Sequence, residues 1–159
     1  MTAIVRQSAR ALLFDRERKL VFVKRTRPGQ EPYWVCVGGG LEPGDADAEA
    51  ALHREVLEEL GGRIDRVHRV LLITEDLPGG VGLQHLFAAR LVSMDLRHRT
   101  GAEFTEPGRG DYEVVRVPPT REALAKIRLL PPRLAAFAGD NVRGLLALVG
   151  QDGRGSRAP

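Results

Sequence analysis

The amino-acid sequence predicts an α+β domain arranged as an α/β/α sandwich. Three observations carry that reading. Short apolar segments separated by turn residues fill the first forty positions and recur after residue 62. One stretch in the middle has helical periodicity. Two proline-punctuated helical stretches follow near the end of the chain. With 159 residues, 43% of them hydrophobic, the chain suits one domain with a sizeable core. That domain is expected over residues 1–149. The remaining stretch, 150–159, lacks apolar anchors and is expected to be a frayed tail.

In order along the chain, Ala9 to Asp15 and Lys19 to Lys24 read as two strands joined by a polar turn. Tyr33 to Val37 is a third, short strand running into a turn made by Gly38-Gly39-Gly40. From Asp47 to Leu60 the pattern becomes helical. With Leu52 at zero, Val56, Leu60 and Leu57 fall at about 40, 80 and 140 degrees on the helical wheel. Glu58, Glu55 and Glu59 fall at about 240, 300 and 340 degrees, so a carboxylate face is expected beside the buried one. Gly61-Gly62 ends the helix. Arg63 to Glu75 and Leu83 to Val92 read as two longer strands, connected by Asp76-Leu77-Pro78-Gly79-Gly80. Ser93 to Asp111 is polar and reads as a long loop, and Tyr112 to Val117 as a strand. Pro118-Pro119-Thr120-Arg121-Glu122 opens a helix, and Pro131-Pro132 separates it from a last amphipathic helix ending near Val149.

Composition narrows the function classes. No apolar run approaches the roughly 20 residues a membrane-spanning helix needs, and the N-terminus lacks a secretory pattern. The single cysteine, Cys36, excludes an internal disulfide framework, so a cytoplasmic location is the default expectation. The formal charge of +3 is too small to demand a nucleic-acid partner. Most basic residues are Arg, with Lys19, Lys24 and Lys126 the only lysines, and scattered Arg reads first as solvated surface.

The chemistry concentrates in Arg54-Glu55-Val56-Leu57-Glu58-Glu59-Leu60-Gly61. Glu55, Glu58 and Glu59 are spaced i, i+3, i+4 and share one side of the helix. Each close like-charge pair should cost an isolated helix about 0.2–0.5 kcal/mol, and a cation would offset that cost. A set of hard oxygen donors without soft ligands suits Mg²⁺, with Mn²⁺ as the alternative, rather than zinc.

These residues resemble the box of the MutT-like Nudix hydrolase family, which reads Gly, five residues, Glu, seven residues, Arg-Glu-aliphatic-any-Glu-Glu-any-Gly-aliphatic. The second half is complete here in Arg54, Glu55, Val56, Glu58, Glu59 and Gly61. The stretch from Trp34 to Asp45 is similar to the strand and loop that lead into that box. Two positions depart from it. Counted from Gly40, the first glutamate falls on Ala46; counted from Gly39 it falls on Asp45, with one extra residue before Arg54. Gly62 stands where an aliphatic residue is usual.

The resemblance implies the family's α/β/α sandwich with a mixed β-sheet, and hydrolysis of a phosphoanhydride bond in a nucleoside diphosphate derivative such as ADP-ribose, or in a nucleoside triphosphate. It implies Glu58 and Glu59 as principal metal ligands, Glu55 as ligand or base, and a backbone carbonyl of the glycine triplet, Gly39 foremost, as a further ligand. Arg54 would orient the helix and its carboxylates, with Asp45 neutralising it in a supporting role. Gly38 and Gly40 would approach the phosphates. Some members take the base from a distant loop, which makes Glu103, Glu106, Asp111 and Glu113 candidates. Pro78 lies sixteen residues beyond Gly62, a spacing typical of the family's ADP-ribose-cleaving members. The implied partner is a small nucleotide; homodimers are common in the family. Two rivals stay open: a non-catalytic nucleotide sensor, and a pyrophosphohydrolase of RNA 5′ ends. The second lacks a basic, aromatic stripe.

Other residues read more plainly. Arg25 and Arg27, after the second strand, are candidate phosphate binders. Trp34 is expected to pack at the mouth of the site, and Cys36 to be a small core residue. His53, His68, His85 and His98 have no zinc-ligand spacing and are expected to be structural or exposed. The glycine triplet is not a P-loop, because no Gly-Lys-Ser/Thr follows.

Overall fold

The computed structural model describes residues 2–100 and 110–150. In chain order they form β1 (Ile4–Phe14), β2 (Leu20–Thr26), β3 (Tyr33–Val35), β4 (Val37–Gly40), α1 (Ala48–Leu60), β5 (Arg63–Leu77), β6 (Gly80–Ser93), a 3₁₀ turn (Leu96–His98), β7 (Asp111–Val117), α2 (Arg121–Ala125), β8 (Leu129–Leu130) and α3 (Pro132–Gly150). The strands make one sheet in the order β5-β6-β1-β2-β3-β8, with β4 also paired to β1 and β7 to β2. The β1–β6 and β3–β8 pairs are parallel and the others antiparallel, so the sheet is mixed.

Strand alternation sends neighbouring side chains to opposite faces. Leu12 and Phe14 of β1, Leu20 and Phe22 of β2, and Leu86 and Ala88 of β6 pack with α2 and α3. Ala11 and Leu13, Val21 and Val23, and Phe87 and Ala89 pack with α1 on the other face. The predicted sandwich is thus present: α1 covers one face of the sheet and α2 with α3 the other. Helix α3 contributes Leu134, Ala138, Val142, Leu145 and Val149, one stripe at helical spacing. Each Leu or Val of this stripe contributes about 1.5–3 kcal/mol when fully buried. No helix of the described residues is long and apolar enough to cross a membrane.

Several boundaries differ from the sequence reading, each for a local reason. The glycine triplet is not a turn: Gly38, Gly39 and Gly40 belong to β4 and pair with Arg10, Ala9 and Ser8 of β1. Gly38 has φ of 143° and touches the β1 backbone so closely that a Cβ would overlap the Ala9 carbonyl oxygen. Pairing also lengthens β5 and β6 toward each other, leaving only Pro78-Gly79 between them. Strand β8 has two residues, too few to carry a sequence pattern, and is defined by pairing with Trp34 and Val35. Ser93 ends β6 rather than starting a loop. Residues 101–109 and 151–159, including the expected loop centre and tail, lie outside the described residues.

Candidate active site

Helix α1 begins where Asp47 accepts the Ala50 amide (2.8 Å), as an N-cap should. It ends at Gly61, which is left-handed (φ 56°) and whose amide returns to the Leu57 carbonyl at 2.9 Å. Arg99 Nε and the Thr100 amide bond the carbonyls of Glu59 (2.9 Å) and Glu58 (3.0 Å), satisfying the exposed helix end. The Gly62 departure has a steric reason: a Cβ there would lie 3.1 Å from the Ser93 carbonyl and 3.2 Å from Val56.

The buried residues of α1 are Ala48, Ala51, Leu52, Val56 and Leu60. On the helical wheel they span about 260 degrees through zero to 80 degrees. This arc includes Glu55 and Glu59 and leaves out Leu57, which is 55% exposed. The carboxylate face is therefore not beside the buried face; part of it points at the sheet. The Glu55 side chain is only 13% exposed. It fits because β4 presents Gly39 beneath it: a Cβ on Gly39 would stand 2.5 Å from Glu55 Oε1.

Arg54 ties this arrangement together. Its Nε and one terminal nitrogen each donate to an Asp45 carboxylate oxygen at 3.0 Å, a bidentate pair. The same terminal nitrogen donates to the Gly40 carbonyl at 2.9 Å. The other donates to Glu55 (3.1 Å) and to Glu58 (3.2 Å) and lies 3.5 Å from Glu42. Asp45 also accepts the Glu42 amide at 2.7 Å. Its two Arg54 bonds, and then the Glu42 amide, hold the Asp45 carboxyl below the usual carboxylate range. The Arg54 guanidinium is driven further toward its charged form, chiefly by Asp45. Glu42 was without a role in the sequence reading, although the motif Glu42-Pro43-Gly44-Asp45 was its available signal. Arg10 was likewise missed: it braces the glycine strand by donating to the carbonyls of Cys36 (3.0 Å) and Gly38 (3.3 Å).

One guanidinium thus faces four carboxylates, Glu42, Asp45, Glu55 and Glu58, and cannot neutralise them all. Glu42, Asp45, Glu55 and Glu58 are all hard oxygen donors, the ligand class that suits Mg²⁺ or Mn²⁺. Among the described residues no group of three or more acidic, histidine or cysteine side chains is arranged to hold a metal ion. Arg54 itself bridges Glu55 and Glu58.

The remaining candidates separate by sheet face. Arg25 lies in register between Tyr33 and Tyr112 on the α1 face. Its guanidinium sits 4.2 Å from the Tyr112 ring centroid and 5.7 Å from that of Tyr33, and donates to the Tyr112 hydroxyl. Arg27 follows the end of β2, and its Nε is buried without an acceptor among the described residues. Asp111 and Glu113 pair with Thr26 and Lys24, so strand alternation puts them on the face away from α1. They are not beside the carboxylate helix, as a base would be. Glu103 and Glu106 lie outside the described residues. Trp34 also faces away: it packs with the α3-side cluster, 5.3 Å from Lys24 Nζ, and does not line the carboxylate site.

Cys36 is fully enclosed, and burial pushes its thiol up to about 12, consistent with a core residue. His85 is buried on β6 with Nε2 2.8 Å from Gln7 Oε1, and burial, followed by Arg69, lowers its pKa. His53 is exposed beside Glu49.

Comparison with curated proteins returned no match. Among solved structures, a NUDIX hydrolase from Nitrosomonas europaea is 19% identical with a TM-score of 0.64, covering 87% of this chain and 88% of its own. A MutT protein from Methanosarcina mazei Go1 is 18% identical with a TM-score of 0.56, covering 87% and 93%. A protein described as an ADP compounds hydrolase is 18% identical with a TM-score of 0.66, covering 90% and 74%. At these identities the likeness establishes the fold. The family model for the NUDIX domain matches residues 5–131, the span that holds the sheet, α1 and the Arg54 cluster, and the chain belongs to the NUDIX family.

Proposed function

We propose that this protein is a Mg²⁺-dependent hydrolase that cleaves a phosphoanhydride bond in a nucleoside diphosphate derivative such as ADP-ribose, or in a nucleoside triphosphate. Membership of the NUDIX family makes it a nucleotide pyrophosphohydrolase. The observation that carries the finer reading is the Arg54 cluster, in which four carboxylates outnumber one guanidinium against a glycine strand.

Glu55, Glu58 and Glu59, with the Gly39 carbonyl, would hold the metal; Mn²⁺ has the same ligand chemistry. When bound, such an ion neutralises phosphate charge and lowers the pKa of a coordinated water. Arg54 orients the carboxylates, and Asp45 keeps Arg54 in place by its bidentate bond. Gly39 leaves room for Glu55 to reach the sheet. The exposed backbone at Gly40 would let phosphates approach, whereas Gly38, expected beside it, is buried against β1 and leaves no such opening; Arg25 on the α1 face would supply charge for the substrate. Glu55 or Glu58 would take the proton from the attacking water. The likeness to the ADP compounds hydrolase and the Pro78 spacing support a diphosphate linked to a second group.

The test is a panel of ADP-ribose, nucleoside triphosphates and 5′-triphosphorylated RNA assayed with Mg²⁺, for the wild type and Glu58→Gln. Turnover of a free nucleotide, lost by about 100-fold or more in the variant, is expected when a charged ligand and proton acceptor is removed. Tight nucleotide binding without turnover, or full activity in the variant, would overturn the reading.

A further inference from the structure

A cavity of about 400 Å³ lies where the β1–β2 turn meets the start of β5, the end of β6 and the last turn of α3. No box residue lines it. Its floor is apolar, formed by Phe14, Val92, Leu146 and Val149, and its wall carries Arg16, Arg18, Arg66 and Arg90. An adjoining hollow shares Arg18 and Leu146 and adds Arg143.

The charge at this wall is balanced only in part by nearby acids, through Asp65 at Arg90. Asp15 is the one carboxylate among the lining residues, and it is engaged by Arg116 (2.8 Å) and by the amides of Glu17 and Lys19. Asp65 pairs with Arg90. Arg16 and Arg66 each donate to a backbone carbonyl, of Val92 and Val149 respectively, at 3.0 Å. The bond to Val92 fixes the Arg16 guanidinium at the rim without neutralising it. Arg16, Arg18 and Arg143 have no carboxylate partner among the described residues.

Two left-handed residues also lie here. Among the described residues only Arg18 (φ 64°) and Arg66 (φ 51°) are left-handed without being glycine, and both line this cavity. Arg18 takes this conformation in the β1–β2 hairpin turn and Arg66 at a register shift of β5. Glycine would occupy the Arg18 position at no steric cost; arginine adds charge there instead. A single-stranded nucleic acid calls for a continuous basic track with stacking rings, whereas this is a hollow in the size range of a small-molecule pocket.

We propose that the cavity is a second binding site for a small phosphomonoester with a ring-bearing or apolar body. The phosphate would lie against Arg16 and Arg18, with Arg143 reaching from the adjoining hollow, and the body on Val92, Leu146 and Val149.

The test is a methyl-resolved NMR titration of the whole protein with AMP as probe, in chelator, to keep metal from the catalytic carboxylates. Saturable shifts are expected at the Val92, Leu146 and Val149 methyls, weakened by about tenfold or more in Arg18→Gly/Arg143→Ala. Arg18→Gly suits the left-handed backbone and keeps the fold readable. Glu58→Gln should leave these shifts unchanged, so the outcome is separate from that of the catalytic reading. Adenosine, lacking the phosphate, should not produce them. Absence of shifts at these methyls, an unaltered titration in the double variant, or equal binding of adenosine would overturn the proposal.

Discussion

Replacing Gly39 by alanine isolates the contribution of one missing Cβ to the active site. Gly39 does not have a left-handed backbone, so alanine can adopt its conformation. The new Cβ would lie 2.5 Å from Glu55 Oε1 and 2.7 Å from its Cδ, whereas ordinary contact begins near 3.4 Å. The carboxylate must therefore retreat by about 1 Å, and it can, because it is the far end of a flexible side chain. Stability should change by no more than about 1 kcal/mol, since the relief is a rotamer adjustment and alanine removes some unfolded-state freedom. Catalysis should suffer more: about 1 Å of misplacement at a reacting group can cost on the order of 100-fold. The assay is kcat on the best substrate of the nucleotide panel, with Tm measured on the same sample. Wild-type kcat in Gly39→Ala would refute the claim that this glycine exists to seat Glu55. A collapse of Tm would refute it differently, by making Gly39 structural. The neighbouring Gly38→Ala is the contrast, because its Cβ meets β1 backbone and its φ of 143° suits glycine. Backbone strain there costs about 1–3 kcal/mol before the overlap is counted, so that variant should lose stability first.

Asp45→Asn leaves Arg54 without its charged bidentate partner and should lower activity about 10–100-fold with little change in Tm, as loss of an outer support commonly does; recovery in Asp45→Glu, read in kcat, would assign the effect to the carboxylate. The Asp95 carboxyl is lowered to about 2, chiefly by its bond to Arg97. A depressed acid stabilises the fold above its unfolded pKa, so its contribution should fade as pH drops from about 4 toward about 2. Denaturation midpoints across that range should flatten in Asp95→Asn relative to wild type. Leu52→Ala, at a fully buried position, should cost about 2–5 kcal/mol in chemical denaturation. Leu57→Ala, on the exposed side of α1, should stay within about 0.5 kcal/mol.

Local signals determined much of what could be read from the chain alone. Asp47 and Gly61 bracket α1 because capping chemistry acts within a few residues. The strands with period-2 patterns and the proline-opened α3 were legible for the same reason. The spacing of Arg54, Glu55, Glu58 and Glu59 pointed to a hard cation before any fold was known. What the sequence left ambiguous was decided by pairings between distant segments. Three glycines read as a turn until β1 supplied partners that made them a strand. Glu55 read as lying beside the buried face until Gly39 opened a gap for it. Counting could not say which residue supports Arg54; tertiary geometry sets Asp45 against it at 3.0 Å. Trp34 was drawn to the site by its place before the glycine triplet, and Asp111 and Glu113 by lying in or near a loop of the kind that supplies a base in some relatives; sheet alternation turns all three to the other face. The Arg18 and Arg66 cavity had no sequence signal, because its walls come from four segments far apart in the chain. Short-range chemistry is written along the chain, whereas which faces meet depends on long-range contacts that no local pattern encodes.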